Sequence, residues 1–198
     1  MHGIAMDEAQ RTALAARADR ELLRLAREAP GGEAFKELYR RHREPVRGFL
    51  SRLLDDPDAA EDVLQETFLR VHQHLDRYDP AQPFRPWLLR IARNLGLNAL
   101  QSRRKAGRAS AGDADPAASD RVPREAAGRE ARGDARLALQ SLPDDVRALL
   151  LQRHGLGMKL EELASSWGVN ERTIRTRLQG AVDQLTQALL ARRAGGAA

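Results

Sequence analysis

The sequence contains no cysteine. Disulfides and thiolate metal sites are therefore excluded, which suits a reducing compartment. Aromatic residues are scarce too, at 4% of the chain against 42% apolar residues in all. A β-sandwich core draws more heavily on aromatics, whereas the abundant Ala, Leu, Arg and Glu here favour helices. No run approaches the roughly 18 apolar residues of a membrane span. The opening MHGIAMDEAQRTALAARADR also lacks an apolar core of signal-peptide length. The expectation is a cytoplasmic protein with no membrane insertion. His72 and His74, two residues apart on a helix, point to different sides and could not readily share an ion. No metal, cofactor or catalytic residue is expected, because the carboxylates have no nucleophile or metal partner beside them.

What the chain does have is charge, unevenly placed. Lys and Arg outnumber Asp and Glu by 33 to 28, a formal net charge of +5. Such a surplus suits a polyanionic partner, nucleic acid first and an acidic membrane surface second. At 198 residues the chain has room for two small domains. Apolar residues recur at helical spacing from Arg20 to Leu54, broken at Pro30-Gly31-Gly32. Asp55-Asp56-Pro57 then offers an N-cap followed by proline at the first helical position, predicting a helix from 57 to about 75. Three prolines between Tyr78 and Pro86 interrupt it. PWLLRIARNLGLNALQSRRK restores helical spacing, with Trp87, Leu88, Ile91 and Leu95 expected inward.

Residues 106–135 hold one large aliphatic side chain, Val122, amid Ala, Gly, Ser, Pro and charge, and are expected to be a flexible linker. A second helical unit is predicted for 136–192. In it LEELASSWGVNERTIRTRL has the spacing of a helix-turn-helix: Ala164 small at the crossing, Gly168 for the turn, Val169 and Ile174 inward, Asn170 as cap. The outer face then offers Arg172, Thr173, Arg175, Thr176, Arg177 and Gln179 to phosphates and base edges.

The helix at 57–75 divides by face. Ala60, Val63, Leu64, Thr67, Phe68, Val71 and Leu75 form one apolar stripe, and Asp58, Glu61, Asp62, Gln65 and Glu66 fill the other side. Those acids either complement the helix dipole as a solvated face or meet a basic partner. From Arg77 to Arg108 the sign inverts, with eight cations against Asp79 alone. Arg90, Asn94, Leu97 and Gln101 fall on an outward strip, while Trp87 could pack in the core or stack on unpaired bases.

Taken in order, FKELYRRHREPVRGFL, DPDAAEDVLQETFLRVHQHLDRY, PFRPWLLRIARN and SLPDDVRALLLQRHGLGMKLEELASSWGVNERTIRTRL resemble a bacterial RNA polymerase sigma factor of the extracytoplasmic-function group, over residues 20 to 190. The resemblance implies an all-α fold of two small helical domains. A sigma-2-type bundle at 20–105 and a sigma-4-type helix-turn-helix at 136–192 would be joined by the linker, with an N-terminal extension at 1–19 and a tail at 193–198. It implies a promoter-specificity subunit whose partners are core RNA polymerase, promoter DNA and an anti-sigma factor. Asp58, Glu61, Asp62, Gln65 and Glu66 would dock on the clamp helices of the largest polymerase subunit. Tyr78, Arg85, Trp87, Arg90, Arg93, Asn94, Gln101, Arg103 and Arg104 would contact the downstream promoter element, and the outer face of the second unit the upstream one. Gln179, Gly180, Ala181 and Val182 follow Leu178 where relatives commonly carry further basic residues, which implies weak upstream affinity, and Asn98 and Gln101 also depart from the common pattern. A free-standing regulator that binds an operator through residues 136–190 alone is the alternative, and a nucleic-acid hydrolase is a more distant one.

Overall fold

A computed structural model describes the backbone of residues 8–110 and 126–195, and every described element is helical. In chain order these are α1 (Glu8–Ala15), α2 (Asp19–Glu28), α3 (Glu33–Leu54), α4 (Pro57–Gln73), a single 3-10 turn at Leu75–Arg77, and α5 (Phe84–Ser110). Then come α6 (Ala126–Ser141), α7 (Asp144–Leu150), a π-helical turn at Leu151–Gly155, α8 (Leu160–Trp167) and α9 (Glu171–Gly195). The chain divides into two compact units, Met1–Gly96 and Leu97–Ala198, the division falling within α5.

In the first unit α3 packs against both α2 and α4. Leu22, Leu23 and Ala26 of α2, Leu38, Phe49, Leu50 and Leu53 of α3, Leu64, Phe68 and Val71 of α4, and Leu88, Leu89 and Ala92 of α5 are all buried. Each large side chain removed from water stabilises the unit by roughly 1.5–3 kcal/mol. That packing carries Pro45 inside α3, where a proline costs a helix about 3 kcal/mol. Gly96 lets α5 approach α3 closely: a Cβ there would lie 2.8 Å from Leu53 Cδ2 and 3.3 Å from Leu50 Cδ2.

The predicted start of α4 is present as read. Asp56 Oδ1 accepts from the amides of Asp58 at 2.9 Å and Ala59 at 3.0 Å, with Pro57 as first helical residue. Its buried stripe is Ala60, Leu64, Thr67, Phe68 and Val71, continued by Leu75 beyond the helix end; Val63 is only half-buried. The face of α5 meets expectation at Leu88 and differs elsewhere. Leu88, Leu89 and Ala92 are buried, whereas Trp87, Ile91 and Leu95 are intermediate. The helix begins at Phe84, two residues before Pro86, a first-turn position where no amide is needed for an i−4 bond.

The described end of the N-terminal extension is tied to α3. Arg41 Nη1 donates to Arg17 O at 2.8 Å and Asp19 Oδ1 at 2.9 Å, and Nη2 donates to Leu14 O at 3.1 Å and Ala15 O at 2.8 Å. The guanidinium thus satisfies carbonyls left open at the end of α1. Both ends of the expected linker are helical, since α5 continues to Ser110 and α6 starts at Ala126; residues 111–125 lie outside the described residues, as does the tail from 196.

In the second unit Leu142, Leu150 and Ala181 form a buried cluster with Leu139, Val146, Leu185 and Ala188 packed against it. Gly168 closes α8 in the left-handed conformation at φ 66°, where glycine carries no Cβ penalty. Its amide bonds to Ser165 O and that of Val169 to Ala164 O at 3.1 Å, the paired bonds that end a helix sharply.

Candidate functional site

The acidic side of α4 points away from the core. Asp58, Asp62 and Gln65 are exposed, and Glu61 and Glu66 are half-exposed. Among the described residues, Asp58, Asp62 and Gln65 make no side-chain hydrogen bond or ion pair. Glu66 Oε1, by contrast, accepts from Arg70 Nε at 2.7 Å, one helical turn on, so part of its charge is already answered. Leu69, at 51% exposed, lies four residues from Gln65 and three from Glu66 on the same side of the helix. A face with several solvated carboxylates and one bare leucine suits a partner surface that is basic with an apolar centre.

The predicted promoter-contact residues separate into exposed and structural ones. Arg90 and Asn94 in the first unit, and Gln101, Arg103 and Arg104 in the second, are exposed, guanidinium and amide groups of a kind suited to phosphates and base edges. Arg104 Nη2 donates to Asp144 Oδ1 at 2.8 Å. Arg85 and Trp87 are half-buried. Arg93, expected among the promoter contacts, instead lies inward, 7% exposed. Its Nη2 donates to Asn94 Oδ1 at 2.9 Å, leaving the Asn94 amide NH2 as the outward donor.

Tyr78 is likewise buried, its phenol donating to Gln82 O across the loop before α5. Burial, reinforced by Asp79, pushes that phenol above the usual tyrosine range, so it stays protonated as a donor. Tyr78, Phe84 and Trp87 form one aromatic group. The Tyr78 and Trp87 rings are 4.7 Å apart and Phe84 meets Tyr78 edge-on at 6.2 Å. Trp87 packs against this cluster and is half-buried there. His42 extends the group, its ring 5.1 Å from Phe84 and its Nε2 2.8 Å from Asp19 Oδ2. Sequence reading passed over His42, Asp19, Arg27 and Arg41. Apart from the Arg41–Glu37 pair one turn apart, the hydrogen-bond partners of these side chains lie more than 20 residues away, beyond the reach of helical spacing.

The helix-turn-helix has the expected cap. Asn170 Oδ1 accepts from the Thr173 amide at 2.8 Å and the Thr173 hydroxyl at 2.9 Å. Thr173 is thus occupied locally, and Thr176 Oγ1 donates back to Arg172 O at 3.2 Å. Arg172, Arg175, Thr176, Arg177 and Gln179 are exposed along α9. Arg177 lies over the Trp167 ring at 5.9 Å, and Trp167 Nε1 donates to the buried Gln152 Oε1 at 2.7 Å. Gln179 Nε2 donates to Asp183 Oδ1 at 3.2 Å. Val169, expected inward, is half-buried, while Ile174 is fully buried.

No cluster of three His, Asp or Glu side chains able to hold a metal ion occurs among the described residues, and no described helix is long and apolar enough to cross a membrane. Residues 38–106 match the family model Sigma-70 region 2, and residues 132–185 match Sigma-70, region 4. The chain is 32% identical over 157 residues to the RNA polymerase sigma factor CarQ of Myxococcus xanthus, covering 79% of this chain and 90% of that protein. It is 35% identical over 159 residues to the ECF RNA polymerase sigma factor SigE of Mycolicibacterium smegmatis, covering 77% of this chain and 60% of that one. Among solved structures, the sigma factor RpoE in complex with the anti-sigma factor NepR from Bartonella quintana superposes with a TM-score of 0.62 at 25% identity, over 80% of this chain and 98% of that chain.

Proposed function

Because the chain belongs to the sigma-70 family of RNA polymerase sigma factors, in its extracytoplasmic-function group, we propose a division of labour among its faces. The acid side of α4 docks on the clamp helices of the largest polymerase subunit, while α5, the loop before it and α9 contact the promoter. The chain is a promoter-specificity subunit, selecting where core RNA polymerase begins transcription. Its own contribution is binding, and the phosphodiester chemistry belongs to the polymerase. It acts in the cytoplasm, where the polymerase transcribes.

At the first face Asp58, Glu61, Asp62 and Gln65 meet basic side chains of the clamp, with Glu66 exchanging its Arg70 contact for an intermolecular one. At the second, Arg90, Arg103 and Arg104 hold phosphates of the downstream element while Asn94 and Gln101 offer amides to its bases. Half-buried Trp87 offers its accessible part as a stacking surface for a base. Arg85 adds charge at the start of α5, and Tyr78 and Arg93 act from within, shaping the loop and orienting Asn94. At the third, Arg172, Arg175, Arg177, Thr176 and Gln179 enter the major groove of the upstream element, with Thr173 held by the cap. The domains divide as 20–105 for polymerase and the downstream element and 136–192 for the upstream element, with 106–135 as the linker between them.

The observation that carries this reading is the pair of region matches in order, with solvated carboxylates on α4 in the first and a capped helix-turn-helix in the second. A free-standing operator-binding regulator would leave the match over 38–106 without a task. Run-off transcription with purified core polymerase tests the proposal. Transcripts with discrete start sites are expected only when the chain is added, and start sites that do not depend on it would overturn the reading. An anti-sigma factor is a further partner, supported by the complex known for RpoE. Its co-expression is expected to remove the chain from polymerase in pull-down.

A further inference from the structure

We infer that Arg27 is a positioning residue for promoter readout, its guanidinium setting the loop before α5 at a fixed distance from α2. The inference rests on the sigma-factor reading. Arg27 sits in the last turn of α2. Its Nε donates to Leu75 O at 2.9 Å, and its Nη2 donates to Asp76 O at 3.5 Å and to Tyr78 O. The three acceptors follow the end of α4, and Leu75 O also accepts from the Tyr78 amide at 3.3 Å.

Beyond them the loop is closed on itself. The Ala81 amide donates to Asp79 Oδ1 at 2.9 Å, the Gln82 amide to Asp79 O at 3.0 Å, and the Tyr78 phenol to Gln82 O. A loop so tied moves as one piece, and Arg27 holds the end at which it is attached. A groove of about 500 Å3, lined by Leu23, Arg24, Arg27, Tyr78 and Pro80, runs between α2 and the loop. Beside the direct contact of α2 with the 3-10 turn, the Arg27 hydrogen bonds tie the two sides of this groove together. The Tyr78 ring lies on Trp87 and Phe84, so a shift of the loop carries the stacking surface and the first turn of α5 with it. A planar fork of N–H donors can bind several carbonyls at once; a lysine ammonium keeps the charge without that geometry.

The test uses the full chain with core polymerase and a promoter on which the wild-type protein gives a mapped run-off transcript. That promoter is accompanied by single-base substitutions across its downstream element. Arg27→Lys and Arg27→Ala are compared with wild type for circular dichroism, core-polymerase affinity, transcript yield and discrimination among those templates. Helicity and polymerase affinity are expected to hold for Arg27→Lys. Its discrimination is expected to contract about ten-fold, the factor that one lost charge-assisted hydrogen bond corresponds to. Arg27→Ala is expected to contract it at least as far; should that variant unfold, the lysine variant decides. Wild-type discrimination in Arg27→Lys, or polymerase affinity falling in parallel with transcription, would overturn the inference. A wild-type chain that directs no transcript overturns the sigma reading instead.

Discussion

Glu61 and Asp62 are side chains whose charge the fold hardly uses, Asp62 exposed and Glu61 half-exposed on the outer side of α4. Reversing both, as Glu61→Lys with Asp62→Lys, is expected to leave the circular dichroism spectrum intact and abolish co-purification with core polymerase. Unchanged co-purification would remove this docking face from consideration. Asp19 is the opposite case, because its charge is used internally. A hydrogen bond from His42 and the neighbouring Arg41 hold its carboxyl below the usual aspartate range, against the cost of burial. Hydrogen bonds from Arg40 and Arg41 do the same for Glu37. A depressed acid carries fewer protons folded than unfolded, so its stabilisation is complete above about pH 4 and lost as pH falls through the lowered value. Urea midpoints are therefore expected to fall below about pH 4, and Asp19→Asn to flatten that acid limb. A wild-type acid limb in Asp19→Asn would show that other carboxylates set it. At this scale the sequence was legible for exposed groups and not for Arg93 or Tyr78. Periodicity assigns a residue to a face, but a long side chain on the border of that face can turn inward.

Helices carry their own stop and start signals, and those are testable one by one. Asp56→Ala removes the acceptor for two amides and is expected to cost about 1 kcal/mol by urea denaturation. Gly180 lies inside α9, and a Cβ added there would meet nothing within 4 Å. Gly180→Ala is expected to gain about 1 kcal/mol, read as a raised thermal midpoint. A lowered midpoint would mean that the glycine serves a bend in α9. The ends of α4, the turn at Gly168 and the cap at Asn170 were all readable, because capping depends on residues within a few positions of the helix end. The buried face of α5 was read only in part: Leu88 is buried as expected, but Leu89 and Ala92 share that face while Trp87, Ile91 and Leu95 are half-buried. Apolar residues line several sides of that helix, and only its neighbours choose among them.

For the whole molecule, a net charge of +5 draws the chain to DNA without giving it a sequence preference. The free protein is expected to bind duplex promoter only weakly, with Kd of about 10⁻⁴ to 10⁻⁶ M at physiological salt, and to become specific once core polymerase is present. Tight, sequence-specific gel shifts by the chain alone would favour a self-sufficient regulator. The sequence by itself determined the helical class, the caps, the acid side of α4 and the turn before α9. Each of these rests on backbone hydrogen bonding and side-chain period over a few residues. Only the tertiary structure decided that Arg41 binds the end of α1 and that Arg27 spans to the loop before α5. It also drew Tyr78, Phe84, Trp87 and His42 into one aromatic group. Most of those pairings cross 20 to 50 residues of chain, and helical period says which face is buried but not which helix covers it.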